Sequence, residues 1–280
     1  MWKQKVGVSV GNRYTLPSTD VIEIVSTIGF EAVSLAWSAD ANVSELVSTA
    51  RNCGLDIQSL HAPFQKAAAL WDHDSSIGVP ARQEPMTVLE SCEQHQIPIM
   101  VTHTWIGFNY TFDAENLNFE NYDAVVAKAK EYGVKIAFEN TEGEEYLFAL
   151  MDRYKGEAHV GFCWDSGHEM CYNRSRELLR ELGDRLLVTH LNDNLGIRAF
   201  NGTTTSRDDL HLLPYDGVAD WDRNIELLRS ARPLDILNLE VGINSKKYRH
   251  ESDFYTQMPL ENYFTEAYKR ACKIAYRYSK

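Results

Sequence analysis

Residues 135–165 read KIAFENTEGEEYLFALMDRYKGEAHVGFCWD. The run from Lys135 to Phe138 is short and nearly continuous in apolar residues, and Val160 to Trp164 repeats that pattern. Between them Glu144 to Tyr154 follows the longer helical period. A strand, a helix and a second strand, each strand apolar on both faces, form one βαβ unit of a parallel sheet. Six further runs of the same kind flank this unit: Val6 to Val10, Ala32 to Leu35, Asp56 to Leu60, Ile99 to Thr102, Leu186 to Thr189 and Ile236 to Leu239.

Helical stretches separate the runs. Ser18 is the expected cap of a helix ending at Gly29, and Asn42 with Glu45 three residues later reads as a capping box for a helix ending at Gly54. Others are expected over Ala81 to Gln96, Glu120 to Tyr132, Arg174 to Leu182 and Trp221 to Ser230. A last helix over 261–278 carries Tyr263, Ala267, Tyr268, Ala271, Ile274, Ala275 and Tyr278 on one face. Eight strands with helices between them in 280 residues predict a single-domain (β/α)8 TIM barrel over residues 1–280, with the C-terminal helix docked on it. No GxGxxG follows the first strand, so no nucleotide cofactor is expected.

Composition narrows the function. Lys and Arg number 28 against 40 Asp and Glu, a formal charge of −12, which disfavours nucleic acid as a partner. With 44% hydrophobic residues the chain can bury a full core. The N-terminus shows no export signal, no run is long enough to span a membrane, and the five cysteines are odd in number without a CxxC pair. These features predict a soluble cytoplasmic protein with neither a disulfide framework nor a thiolate zinc site.

Active sites of such barrels form at the carboxyl ends of the strands. There the third to eighth runs end in His61, His103, Glu139, Asp165, His190 and Glu240, each a metal-type ligand. His168, Asp209 and His211 follow in the loops. Carboxylates clustered this densely are costly without a cation, and mixed carboxylate and imidazole donors suit Mn²⁺, Co²⁺, Zn²⁺ or Mg²⁺.

The segments His61-Ala-Pro-Phe64, Ala137-Phe-Glu-Asn-Thr141, Trp164-Asp-Ser-Gly-His168, Thr189-His-Leu-Asn-Asp193, Asp209-Leu-His-Leu-Leu-Pro214, Asp216-Gly217 and Leu239-Glu-Val241 occur in this order across nearly the whole chain. Together they resemble the xylose-isomerase-like TIM barrels, which include ketose 3-epimerases, sugar and inosose isomerases or dehydratases, and the endonuclease IV group of abasic-site nucleases. The resemblance implies a single metal held by Glu139, Asp165, His190 and Glu240. It implies that Glu139 and Glu240 exchange a proton with the sugar from opposite faces, and that His168 touches the substrate oxygens. In the nuclease members the same positions, with those matching His61, His103, His168, Asp209 and His211, hold three zinc ions.

A divalent ion chelating a carbonyl and an adjacent hydroxyl stabilises the enediolate that forms on loss of the carbon-bound proton. One carboxylate takes that proton and a second returns it. The expected function is therefore a metal-dependent sugar isomerase or epimerase acting on a small sugar or polyol, with Phe64, Trp105 and Trp164 as apolar pocket wall. The alternatives are a trinuclear-zinc phosphodiesterase at abasic DNA and a polyol or inosose dehydratase. Against the nuclease stand the acidic charge and the loop Ala36 to Asn42, which has no basic residue. The loop arginines Arg198 and Arg207 read as solvated, favouring an unphosphorylated sugar, and self-association into a homo-oligomer stays open.

Overall fold

The eight apolar runs hydrogen-bond into one parallel sheet. The computed structural model describes residues 4–11, 13–199, 201–247 and 249–280. Its strands are β1 (Lys5–Val10), β2 (Ala32–Ala36), β3 (Asp56–His61), β4 (Ile99–His103), β5 (Lys135–Glu139), β6 (Val160–Asp165), β7 (Leu186–His190) and β8 (Ile236–Leu239). They lie in the order β7-β6-β5-β4-β3-β2-β1-β8. The two ends of that sheet meet through a parallel bridge between Leu191 and Leu239, and Thr189 Oγ1 accepts the Asn238 N–H at 3.0 Å. The result is a (β/α)8 TIM barrel.

Strand periodicity decides what faces where. Val101, Ala137, Cys163 and Val188 cluster together inside the barrel, while Phe138, Phe162 and Trp164 belong to the larger apolar cluster shared with the helices. Two residues beyond the interior set, on the same side, come His103, Glu139, Asp165 and His190.

The outer layer holds α1 (Ser18–Ile28), α2 (Val43–Asn52), α3 (Ser75–Gln94), α4 (Glu120–Tyr132), α5 (Glu144–Arg153), α6 (Ser166–Cys171), α7 (Leu178–Leu182), α8 (Trp221–Ser230), α9 (Asp253–Thr256) and α10 (Leu260–Tyr278). The aromatic stripe of α10 buries Tyr263, Phe264, Ala267, Ala271, Ile274 and Ala275, so the C-terminal helix docks on its own barrel. Asn42 caps α2 as expected, its side chain accepting the Glu45 N–H at 3.2 Å.

Several expectations are corrected. Pro17 occupies the cap position of α1 and Ser18 is its first helical residue, with no side-chain cap hydrogen bond. Proline's fixed φ and missing N–H suit a helix entry, which displaces serine by one place. Helix α3 starts at Ser75, not Ala81: Asp74 caps it through the Ser76 N–H at 2.8 Å, and Pro80 and Pro85 lie within it. Burial of Gly78, Ala81, Pro85, Val88 and Leu89 offsets the hydrogen bonds the prolines remove. The expected helix over Arg174 to Leu182 is only α7, because Arg174, Ser175 and Glu177 adopt positive φ and break it. A 3₁₀ turn at Ala68–Trp71, α6 and α9 had no expected counterpart.

Among the described residues no helix is long and apolar enough to cross a membrane, and all five cysteines are free thiols. Met1 to Lys3, part of the segment read as lacking an export signal, lie outside the described residues.

The long connection after β7 is clasped at one point. The buried Asp193 carboxylate accepts the N–H groups of Asn194 (2.8 Å) and Ala219 (3.0 Å) on Oδ1, and those of Tyr215 (2.9 Å) and the Trp221 indole (2.8 Å) on Oδ2. Gly217 lies so close to Asp193 Oδ1 that a Cβ there would overlap it. Asp193→Ala should leave these donors buried without a partner and lower unfolding stability by about 3–5 kcal/mol in urea titration. A loss below about 1 kcal/mol would contradict this role.

Candidate metal centre

Glu139 closes β5 with no exposed surface, and four imidazoles approach its two oxygens. Oε1 lies 2.8 Å from His190 Nδ1 and 3.7 Å from His168 Nδ1; Oε2 lies 3.0 Å from His61 Nε2 and 3.3 Å from His103 Nε2. Glu240, immediately past β8, sets Oε2 3.3 Å from His190 Nδ1 and Oε1 3.0 Å from Arg13 Nη2. Asp165 ends β6 and caps α6, Oδ1 accepting the His168 N–H at 2.7 Å. Donor atoms of Glu139, Asp165, His190 and Glu240 all lie within 4.8 Å of one another, and all four residues are buried.

Two asparagines hold Asp165 in place. Asn140 accepts the Asp165 N–H at 2.8 Å and donates to the Asp165 carbonyl at 2.9 Å. Asn192 Nδ2 reaches Asp165 Oδ1 and Oδ2 at 3.1 and 2.9 Å. A Cβ on Gly167 would overlap the Asn192 side chain, so the Asp-Ser-Gly-His segment needs glycine for this approach.

Three of the imidazoles share an orientation. His61 Nδ1 lies 2.7 Å from the Ala62 carbonyl, His168 Nδ1 3.0 Å from the Asn140 carbonyl, and His211 Nδ1 3.0 Å from the Glu240 carbonyl. A carbonyl only accepts, so each Nδ1 carries the proton, and each Nε2 then faces a carboxylate. His61 Nε2 lies 3.0 Å from Glu139 Oε2, His211 Nε2 3.0 Å from Asp209 Oδ2, and His168 Nε2 3.6 Å from Asp209 Oδ1. Lone pair facing carboxylate is repulsive unless a proton or a cation stands between them. The mouth therefore fits positive charge, and its oxygen and nitrogen donors fit a divalent ion.

Electrostatics follow from this crowding. Burial alone would push the Glu139 carboxyl up, but His190, His103 and His61 hold it well below the usual carboxylate range. Burial is likewise outweighed at Glu240 by Arg13 and His190, and at Asp209 by His211 and His168, so both stay low. Asp165 goes the other way: burial lifts it to about 6, against the pull of His168 and His211 and with further push from Glu139 and Glu240. Burial opposes protonation of His190, yet Cys163 and the carboxylates of Glu240 and Glu139 raise it well above its ordinary value.

The nine ligand-type residues read from the sequence thus converge on one barrel mouth. His168, Asp209 and His211 form a second buried donor group, and His61, His103 and Glu139 a third. The three aromatics divide. Phe64 is half-exposed and stacks on His103 at 4.6 Å between ring centroids. Trp105 stacks on Tyr146 at 4.1 Å and packs against Gly143. Trp164 is corrected outright: one residue from Asp165, strand alternation turns it into the helix-side core, where its indole N–H bonds Glu169 at 3.0 Å. Sequence reading also passed over Arg13, Asn140, Cys163, Asn192 and Lys246. Asn140 and Asn192 lie inside the quoted segments beside ligand residues, and that adjacency was the available signal.

Comparisons with known proteins agree with this architecture. A curated relative, the uncharacterized protein y4fM of Sinorhizobium fredii, is 35% identical over 171 residues, 56% of this chain and 51% of that protein. The match therefore spans about half of that relative's length. Among solved structures, the IolI protein with a bound zinc atom superposes with a TM-score of 0.78 at 17% identity, covering 98% of this chain and 99% of that one. D-psicose 3-epimerase with D-tagatose from Clostridium cellulolyticum H10 superposes with a TM-score of 0.70 at 14% identity, covering 97% and 99%. The sequence model of the xylose isomerase-like TIM barrels matches residues 22–258, and the chain belongs to that family.

Proposed function

We propose that this chain is a divalent-metal-dependent isomerase or epimerase of a small sugar or polyol. The observation that carries the reading is the buried convergence of Glu139, Asp165, His190 and Glu240 at the carboxyl ends of four strands. Likeness to an epimerase with a bound ketose and to a zinc-binding protein supports it. These four residues would hold the ion, whose identity among Mn²⁺, Co²⁺, Zn²⁺ and Mg²⁺ the donor set leaves open.

When bound, the ion supplies Lewis acidity, polarising a substrate carbonyl and easing loss of the proton on the neighbouring carbon. The protein's own groups handle that proton. Glu139 and Glu240 come from different strands and both reach His190 Nδ1; in this reading the substrate lies between them and presents one face to each carboxylate. Both are held deprotonated, so either can take the first proton, although the groups that hold them so also weaken them as bases. His61 and His103 steady the far oxygen of Glu139, and Arg13 that of Glu240. Inversion of a stereocentre needs the second carboxylate to take a proton from solvent or a substrate hydroxyl and deliver it to the opposite face of the carbon. Return of the abstracted proton to the neighbouring carbon, with the hydroxyl proton passing to the former carbonyl oxygen, moves the carbonyl. His168, anchored to the Asn140 carbonyl, would meet substrate oxygens in this reading.

A second reading is phosphodiester hydrolysis at abasic DNA. The two further donor groups around Asp209 and His61 favour it, and the charge of −12 weighs against it.

Glu240→Gln should lower kcat for ketose isomerisation or epimerisation by about 10²- to 10⁴-fold with an unchanged melting temperature. Assays in D₂O with carbon-bound deuterium read by NMR check this, and full turnover in the variant would remove Glu240 from proton transfer. Metal affinity should also depend on pH. Asp165 ligates as a carboxylate, and with the ion absent its carboxyl titrates near 6, so protons outcompete the ion increasingly as pH falls below about 6. His190 ligates as a neutral ring although its neighbours favour the imidazolium, so metal uptake at pH 7 should release protons. Calorimetry with Zn²⁺ in buffers of different ionisation enthalpy measures both, and uptake without proton release would contradict the ligand assignment.

A further inference from the structure

Arg13, three residues beyond the end of β1, donates from Nη2 to Glu240 Oε1 at 3.0 Å. Its side chain is 39% exposed, and among the described residues no other group hydrogen-bonds the guanidinium, which leaves most of its five N–H donors open. Lys246, in the segment after β8, sets Nζ 3.6 Å from Asp209 Oδ2, too long for a hydrogen bond, with a side chain 36% exposed. The two loops touch, since Asn244 Nδ2 donates to the Arg13 carbonyl at 3.3 Å. Asp209 lies within electrostatic reach of Arg13 as well. Two incompletely satisfied cations thus flank the Glu240 and Asp209 carboxylates at the same edge of the mouth.

A divalent ion and Arg13 would offset the three convergent carboxylates and Lys246 would offset Asp209, yet most N–H donors of both cations have no acceptor among the described residues. A neutral polyol needs no such cations, because hydroxyl groups are met by carboxylates, amides and the ion itself. The hydrogen bond from Arg13 also weakens Glu240 as a proton acceptor. An anionic group that draws Arg13 toward itself would release Glu240 Oε1 when substrate is in place.

We propose that Arg13 and Lys246 form an anion subsite, so that the substrate is a keto-polyol bearing a carboxylate or a phosphate monoester. The proposal rests on the isomerase or epimerase reading and names its substrate class. These cations are distinct from Arg198 and Arg207, on which the expectation of an uncharged sugar rested.

Three six-carbon probes separate the outcomes: neutral D-glucitol, D-gluconate and D-glucitol 6-phosphate, titrated calorimetrically into the Zn²⁺-loaded protein. One anion should bind at least about ten-fold tighter than D-glucitol, and the tighter one identifies carboxylate or phosphate. Arg13→Met, which also unpairs Glu240, should lower anion affinity by more than it lowers D-glucitol affinity, and Arg13→Lys should retain part of the advantage. Lys246→Met, away from the convergent carboxylates, should reduce it independently. Equal affinity for all three probes, or an anion advantage that persists in the Arg13→Met, Lys246→Met double variant, overturns the proposal. Turnover of uncharged ketoses, measured in parallel, keeps the two readings apart. Such turnover without anion preference removes the subsite alone. Anion preference without turnover of any ketose or anionic ketose removes the isomerase reading and sustains the subsite.

Discussion

Three carboxylates buried within 4.8 Å of a shared imidazole set the terms for everything else at this barrel mouth. Like charges this close and this dry are unstable by themselves, and desolvation adds to the cost. The protein meets the constraint from all sides: four imidazoles around Glu139, of which His168 and His190 are pushed toward the charged form, a guanidinium on Glu240, and histidines on either side of Asp209. Asp165, which has asparagine amides and no arginine, remains the carboxyl nearest to neutrality. A divalent ion would complete what these groups begin.

The rest of the fold keeps those groups in place. Strand ends supply direction, because residues two apart share a face and the interior cluster of Val101, Ala137, Cys163 and Val188 leads directly to His103, Glu139, Asp165 and His190. Asn140 and Asn192 then fix Asp165 through backbone and side chain, and Gly167 lets Asn192 approach. Asp193, one residue further on, turns outward and clasps the loop that carries Asp209 and His211 toward the mouth. The same short segment therefore contributes a ligand-type residue, its support and a loop anchor.

The barrel and its ligand-type residues were legible because apolar runs end abruptly in His, Asp or Glu, and parallel strands point those ends to one mouth. What escaped reading depended on three dimensions. Trp164 is beside Asp165 in sequence and on the opposite side of the strand in space. Arg13 lies beyond a strand that ends without a ligand, so a census of strand ends passes over it. The start of α3 was hidden by prolines that tertiary burial tolerates, and the break before α7 by positive φ at residues other than glycine. The roles of Asn140 and Asn192 became visible only with Asp165 between them.

The central claim is that the buried carboxylates and His190 hold one divalent ion. Metal content per chain, measured by inductively coupled plasma mass spectrometry after exchange into chelator-free buffer, tests it most directly. The account predicts one ion per chain in the native protein and none in Asp165→Asn. A native protein without bound metal would contradict the centre itself, and three zinc ions per chain would contradict its assignment as a single-ion sugar site.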